Sequence, residues 1–449
     1  MPRLFGTDGV RGLANREISA ELALDLGSAA ARVLIGRDGT RDARPRAVIG
    51  RDTRVSGDFL TAAIAAGLAS AGVDVIHAGV LPTPGVAHLT AEEDVDLGVV
   101  ISASHNAMPD NGIKFFARGG YKLADDIEDE IEASLGRAWE RPIGADVGGM
   151  SENLEGAQRS YVDHLLGALR QPLKGLRIAV DCANGAASTV GPLALREAGA
   201  EVTVVNASPD GRNINDGCGS THPEQLQAVV VASEADFGVA FDGDADRCIA
   251  VDHTGALVDG DQIMGVLATG FKERGQLAHD TLVITVMSNL GLRLAMESAG
   301  IATVQTAVGD RYVLDAMLEG GFSLGGEQSG HIISATHATT GDGLLTALLL
   351  ADHVAASGTR LQALAATVQR LPQVLLNVPD VDKARAASDE KLLEEVRAAE
   401  ERLGDSGRVL LRSSGTEPLV RVMVEAMDED VAESTAAHLA GVVRERLGR

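Results

Sequence analysis

A chain of 449 residues is too long for one hydrophobic core, and at about 100–200 residues per domain it predicts three or four. With 45% hydrophobic but only 3% aromatic residues, those cores must be built from Ala, Val, Leu and Ile. A formal net charge of −25 argues against nucleic acid, whose phosphates need a Lys/Arg-rich face, so any anionic ligand would need basic residues concentrated locally.

The chain opens Met1-Pro2-Arg3-Leu4-Phe5-Gly6-Thr7-Asp8, without the apolar stretch of a signal peptide. No apolar run approaches the ~18 residues of a membrane span, and residues 344–350 form the densest one. A soluble, cytoplasmic protein with no membrane partner is expected. A strand, polar loop, helix, Ala-Gly, strand pattern then recurs three times. The copies end in Ala71-Gly72-Val73-Asp74-Val75, Ala198-Gly199-Ala200-Glu201-Val202 and Ala299-Gly300-Ile301-Ala302-Thr303, with first strands at 46–50, 176–181 and 282–287. Glycine suits the left-handed helix C-cap, and each copy reads as a βαβ unit. Three related α/β domains are predicted, at 1–156, 157–260 and 261–371, with residues 142–156 as a surface linker. From 372 to 449 the pattern changes to a strand at 374–378, a charged helix at 383–403, strands at 408–412 and 420–426, and a last helix. That is a smaller α+β domain. Cys182, Cys218 and Cys248 form no Cys-x-x-Cys pair, so they read as small buried hydrophobes in a reducing compartment.

Four polar loops carry chemistry. The apolar run Val99-Val100-Ile101 leads into Ser102-Ala103-Ser104-His105-Asn106, and Lys114 follows. A serine hydroxyl is a poor nucleophile until activated, and a cation here would lower the charge on a phosphoserine or help a proton move. The plain alternative is a hairpin turn marked by Asn111-Gly112. Val239-Ala240-Phe241 leads into Asp242-Gly243-Asp244-Ala245-Asp246-Arg247. Three carboxylates this close repel unless a cation sits among them, and oxygen ligands favour a hard ion such as Mg²⁺. An EF-hand is excluded because Arg247 and His253 stand where Gly and Glu are required. A solvated acidic turn is the alternative, and the apolar flanks oppose it. Gly325-Gly326-Glu327-Gln328-Ser329-Gly330-His331 offers a carboxylate and a hydroxyl suited to sugar hydroxyls, or a plain turn. Arg412-Ser413-Ser414-Gly415-Thr416-Glu417, with Arg421, is a phosphate cradle without the Lys of a nucleotide-binding P-loop.

In this order and at these distances, the four loops and Phe5-Gly6-Thr7-Asp8-Gly9-Val10-Arg11-Gly12 resemble the α-D-phosphohexomutase superfamily, over essentially the whole chain. The resemblance implies three α/β domains with mixed sheets plus the α+β domain around a central cleft, and interconversion of 1- and 6-phosphosugars. The opening and Gln328 are most similar to members acting on glucosamine phosphates, towards UDP-N-acetylglucosamine and cell-wall precursors; mannose or glucose phosphates are the alternative. It implies that phosphorylated Ser104 carries the phosphoryl group, with Ser102 as the lesser candidate. Asp242, Asp244, Asp246 and the Ser104 phosphate would hold one Mg²⁺. Arg11, His105, Lys114, Arg247 and His331 would surround the transferring group, with Lys114 and His331 handling protons. Glu327 and Ser329 would read the sugar. Arg412, Ser413, Ser414, Gly415, Thr416 and Arg421 would hold the unreacting phosphate, and glucosamine or glucose 1,6-bisphosphate would be intermediate or activator. A mobile fourth domain would close over the cleft. A homodimer is left open as the assembly. One departure stands out: Ala107 follows Asn106 where the family commonly has proline, so loop stiffness must come from elsewhere. A metal-dependent sugar phosphatase with an aspartyl nucleophile would usually carry Thr or Val in place of Asp246. A non-catalytic sensor is disfavoured by the intact loops.

Overall fold

The computed structural model describes residues 3–6, 8–35, 44–92, 95–414 and 419–448. Contacts group the chain into two compact units, Met1–Val286 with Ile301–Ala366, and Met287–Gly300 with Thr367–Arg449.

The first unit holds three mixed sheets built on one plan. Each has three parallel strands and then an antiparallel fourth. In spatial order these are Asp74–Val80, Arg46–Arg51, Leu97–Ile101 and Asp110–Ala117; Glu201–Val205, Arg177–Asp181, Phe237–Phe241 and Cys248–Asp252; and Ala302–Thr306, Thr281–Thr285, Leu324–Gly326 and Ile332–Ser334. Every residue of Leu97–Ile101 and Phe237–Phe241 is buried. Parallel strands covered on both faces are apolar throughout rather than alternating, which is why these two read as short hydrophobic runs. The Ala-Gly glycine lies between helix and strand, with Gly199 at φ 102°, a conformation that a Cβ would strain.

The plan fixes where the chemistry goes. In all three sheets the third and fourth strands form a hairpin, and its turn carries one of the polar loops: residues 102–109, 242–247 and 327–331. Asn111 and Gly112 do not form such a turn; they lie inside strand Asp110–Ala117, with Asn111 donating to Ser56 Oγ at 2.8 Å. The expected linker at 142–156 is also structured. Met150–Glu152 joins the first sheet beside Asp74–Val80, and helix Leu154–Gly167 begins before residue 156. The alternation of apolar and polar residues there is too short to signal a strand.

The second unit is an antiparallel sheet, Gln373–Pro379, Leu419–Ala426 and Gly407–Ser413, packed against helices Glu390–Leu403 and Glu429–Leu447. The charged helix starts at Glu390, not near 383, because Asp389 caps it by accepting the Leu392 N–H at 3.1 Å; Lys383–Arg385 is a single 3₁₀ turn. Helix Leu290–Ser298, which follows a strand of the third sheet in sequence, belongs to this unit. Buried Glu425 accepts the Leu290 N–H at 2.9 Å and pairs with Arg408 at 2.7 Å. Among the described residues no helix is long and apolar enough to cross a membrane, and all three cysteines are free and buried.

Candidate active site

Ser104 adopts φ 52° and is 1% exposed. A left-handed non-glycine residue costs about 1–3 kcal/mol and persists only where its surroundings impose it. Here they do. The guanidinium of Arg54 is fully buried and donates to the carbonyls of Ser104 (3.0 Å), Asn106 (2.8 Å) and Ala107 (2.6 Å). Its Nε meets Asp52 Oδ2 at 2.9 Å. Asn215 Nδ2 adds bonds to the Ser104 and Asn106 carbonyls at 2.9 and 3.1 Å. The stiffness that proline would give at Ala107 is thus supplied by a hydrogen bond from Arg54. Ser102 is committed to the same brace, donating to Asp52 at 2.6 Å and accepting the Ser104 N–H at 2.9 Å. That leaves the Ser104 hydroxyl as the one facing the second loop.

Ser104 Oγ donates to Asp242 Oδ2 at 2.5 Å, and His105 Nδ1 lies 3.2 Å from Ser104 Oγ. Asp242, Asp244 and Asp246 are all buried, with ligand oxygens within 4.8 Å of one another, so this is no solvated turn. Gly243 is required for the approach, since a Cβ there would stand 2.6 Å from the Ser104 carbonyl. Thr83, opening helix Thr83–Glu92, donates its hydroxyl to Asp244 Oδ2 at 2.6 Å. Asp244 Oδ1 and Asp246 Oδ1 are buried without a hydrogen-bond partner. Buried carboxylate oxygens left unpaired and clustered are the donor set of a hard cation, and these residues fit Mg²⁺. Burial, then the charges of Asp246 and Asp244, pushes the Asp242 carboxyl well above its usual range. Asp246 is held low: burial opposes this, but its hydrogen bond to His331 and the nearby cations win.

The expected basic residues converge on these carboxylates. Lys114 Nζ lies 2.9 Å from Asp8 and 3.2 Å from Asp244; burial would lower its pKa, but the two carboxylates raise it, so it is a fixed positive charge. Arg11 pairs with Asp8. Arg247 donates its backbone N–H to Asp242 Oδ1 at 3.2 Å, and its Nε is 3.9 Å from Asp246. His331 Nδ1 stands 3.5 Å from Asp246, while Nε2 accepts the Gly341 N–H at 3.1 Å, an arrangement that places the ring proton on Nδ1. Burial, then Arg247 and Arg11, lowers the pKa of His105, leaving it neutral and able to accept.

Glu327 and Ser329 occupy the turn of the third hairpin. Glu327 Oε1 accepts the Gly309 N–H at 3.1 Å and Ser329 is exposed. In the second unit, Arg412 and Arg421 are direct cross-strand partners. Ser413 donates to the Lys383 carbonyl at 2.8 Å, and Lys383 Nζ donates to the Ser414 carbonyl at 2.6 Å. Gly415 and Thr416 lie outside the described residues, as does Thr7. Several participants were not singled out in the sequence: Asp8, Asp52, Arg54, Thr83, Lys122, Asn215, Asp310 and Lys383. Lys122 bridges Asp8, at 2.9 Å, and Asp310, and Asp310 is 3.7 Å from His331. The signal for Asp52 and Arg54 was available: they follow an apolar strand as the serine loop does.

Four models of the phosphoglucomutase/phosphomannomutase family match the chain: alpha/beta/alpha domain I at 2–141, domain II at 159–255, domain III at 259–371 and the C-terminal domain at 375–442. The chain belongs to this family. More particularly, it is 63% identical over 453 residues to a phosphoglucosamine mutase of Bifidobacterium animalis and 61% identical over 453 residues to that of Streptomyces avermitilis, each aligned over 100% of both chains. A phosphoglucomutase/phosphomannomutase family protein from Burkholderia thailandensis shares the fold, with TM-score 0.81 at 25% identity over 99% of this chain and 97% of that one. So does Aspergillus fumigatus N-acetylphosphoglucosamine mutase, with TM-score 0.71 at 19% identity over 99% and 96%.

Proposed function

We propose that the chain interconverts glucosamine 6-phosphate and glucosamine 1-phosphate through a phosphorylated Ser104. The observation that carries this is the Ser104 hydroxyl, fixed on a left-handed turn and 2.5 Å from one of three clustered carboxylates, in a chain 63% identical to a phosphoglucosamine mutase. Phosphoryl transfer depends on alignment and charge neutralisation more than on covalent chemistry. Phosphoserine 104 gives its phosphoryl group to O1 of glucosamine 6-phosphate. The P–Oγ bond breaks, the P–O1 bond forms, and the O1 proton passes to the departing Ser104 Oγ, carried by His105 Nδ1. The 1,6-bisphosphate returns its 6-phosphoryl group to Ser104 by the reverse step.

Asp242, Asp244 and Asp246 would hold Mg²⁺, which supplies positive charge to the transferring oxygens when bound. Lys114, Arg11 and Arg247 add fixed positive charge. His105 Nδ1 takes or returns the proton of Ser104 Oγ, and His331 keeps its proton on Nδ1. Glu327 and Ser329 read ring substituents, and Arg412, Ser413, Ser414, Gly415, Thr416 and Arg421 grip a phosphate.

Phosphorus NMR tests this with glucosamine 6-phosphate, Mg²⁺ and a trace of hexose 1,6-bisphosphate. A 1-phosphate signal should grow, be suppressed by EDTA, and fall by ~10³-fold or more in Ser104→Ala. Release of inorganic phosphate would make the protein a phosphatase, and unchanged turnover in Ser104→Ala would remove the phosphoserine. Mannose and glucose phosphates run in parallel rank the sugar preference.

A further inference from the structure

A second basic pocket in the first unit shares no lining residue with the site above. It has a volume of about 210 Å³, and its walls include Arg170, Arg274, Ser334, His337 and Asp352. Arg170 follows helix Leu154–Gly167 and spends its charge on Asp352: Nε reaches Oδ2 at 2.6 Å, and the Arg170 backbone N–H reaches Oδ1 at 3.3 Å. Asp352 is 2% exposed, so this carboxylate is fully engaged.

Arg274 is different. It caps the C-terminus of helix Gly260–Glu273, where its Nε donates to Gln276 Oε1 at 2.9 Å and its guanidinium lies 5.2 Å over the Phe271 ring. Among the described residues it forms no ion pair. Burial, then the charge of Arg170, pulls its pKa down. Its Nη1 lies 3.4 Å from Nδ1 of His353, whose pKa burial and then Arg274 itself lower, so the guanidinium meets a ring nitrogen and no carboxylate at ion-pair distance.

A helix C-terminus alone would favour a cation at Arg274, but it does not account for Ser334. That residue ends strand Ile332–Ser334, is 3% exposed and lines the same pocket, yet its Oγ has no hydrogen-bond partner. A buried hydroxyl left unmatched is costly unless something completes it. An arginine with no carboxylate at ion-pair distance and a residue with an unmatched hydroxyl, both lining one small cavity, are what a tetrahedral oxyanion needs. We infer that this pocket binds a phosphate group, either inorganic phosphate or the phosphate ester of a small metabolite.

Hydrogen exchange on the full chain tests it, with inorganic phosphate titrated into phosphate-free buffer. Peptides covering 268–278 and 332–338 should gain protection. Arg274→Gln should weaken that protection about tenfold or more in phosphate concentration. Protection of the arginine hairpin at 407–425 and turnover in phosphate-free buffer should stay as in the wild type. Ser334→Ala should also weaken phosphate protection, yet melt no lower than wild type without phosphate, because it removes a hydroxyl that bonds nothing. Glucosamine 6-phosphate, tested on the Ser104→Ala protein, separates the sources: protection at lower concentration than inorganic phosphate identifies an ester, and the reverse identifies the free ion. No protection from either, or equal protection in Arg274→Gln, overturns the inference. Protection at 407–425 without protection at the pocket would overturn it while leaving the mutase reading intact.

Discussion

The serine hairpin and the arginine hairpin are the same device built for opposite ends. Both are turns between antiparallel strands at the edge of a core. The first is braced at every carbonyl from 104 to 107 except that of His105, by Arg54 and Asn215 reaching in from distant positions. It carries a strained residue because that brace can hold it. The second places Arg412 directly opposite Arg421, and its loop backbone is held by Lys383 on the Ser414 carbonyl and by the Ser414 N–H on the Leu419 carbonyl at 3.0 Å. A nucleophile must be fixed to within a fraction of an ångström, whereas a phosphate-reading loop needs positive charge gathered side by side. A buried arginine is spent on backbone in the first, and two arginines stand on neighbouring strands in the second.

The largest effect should come from Arg54→Met, which strips buried Asp52 of its cation and takes one donor from each of three carbonyls. Breaking one side of a buried pair costs ~3–5 kcal/mol. Urea unfolding and exchange of peptides 97–117 should report that loss, together with a collapse of turnover. Arg54→Lys should recover only part of it, since one ammonium cannot serve Asp52 and three carbonyls together. If the hairpin stays protected in Arg54→Met, the brace is not what fixes Ser104. Next, Arg421→Gln should raise KM for glucosamine 6-phosphate about 10–100-fold with a smaller change in kcat. It should leave the melting of the second unit close to that of the wild type; a marked destabilisation would make Arg421 a structural residue.

The smallest effect is a local pH dependence in the first unit, which the second has no buried histidine to match. Burial, then the charge of His164 in a ring stacked at 4.2 Å, pulls His88 down to about 4; burial also lowers His164, His337 and His353. All four lie in the first unit, whereas the second unit's one histidine is His438, exposed and 3.0 Å from Glu395. Folded pKa values below the unfolded 6.5 mean that these histidines bind more protons unfolded between about pH 4 and 6.5, so the stability they contribute falls as pH drops through that window, whereas Glu128, raised to about 7, and Asp342, raised to about 6, act in the opposite sense. Exchange at pH 7 and pH 5 should show helices Thr83–Glu92 and Leu154–Gly167, which carry the stacked pair, loosening at the lower pH. Replacing His88 with Gln should reduce the difference.

Much of this was legible because its signals are local. Apolar runs, Ala-Gly helix ends and the four polar turns each sit within a dozen residues, and the hairpin plan turned them into site positions. The braces were not legible in the same way. Arg54 meets the serine loop 50 positions away and Asn215 meets it 111 away, and only packing decides that. Ser102 looks as nucleophilic as Ser104 until Asp52 is placed beneath it. The start of the charged helix was misjudged because charge continues through 383–389 while the cap is a single aspartate. Strand Met150–Glu152 has three exposed residues and owes its existence to an available sheet edge.

The assignment of helix Leu290–Ser298 to the second unit sets an order of events during synthesis. Its first N–H is matched by a glutamate made 135 positions later. At ribosomal speeds of about 5–20 residues per second, roughly ten seconds pass before that carboxylate exists. Through that interval the flanking strands Thr281–Thr285 and Ala302–Thr306 can pair, while the helix between them waits for the rest of its unit. A nascent chain stalled before residue 367 would therefore hold a sheet whose strands are complete and, between two of them in sequence, a helix whose partners are still unmade.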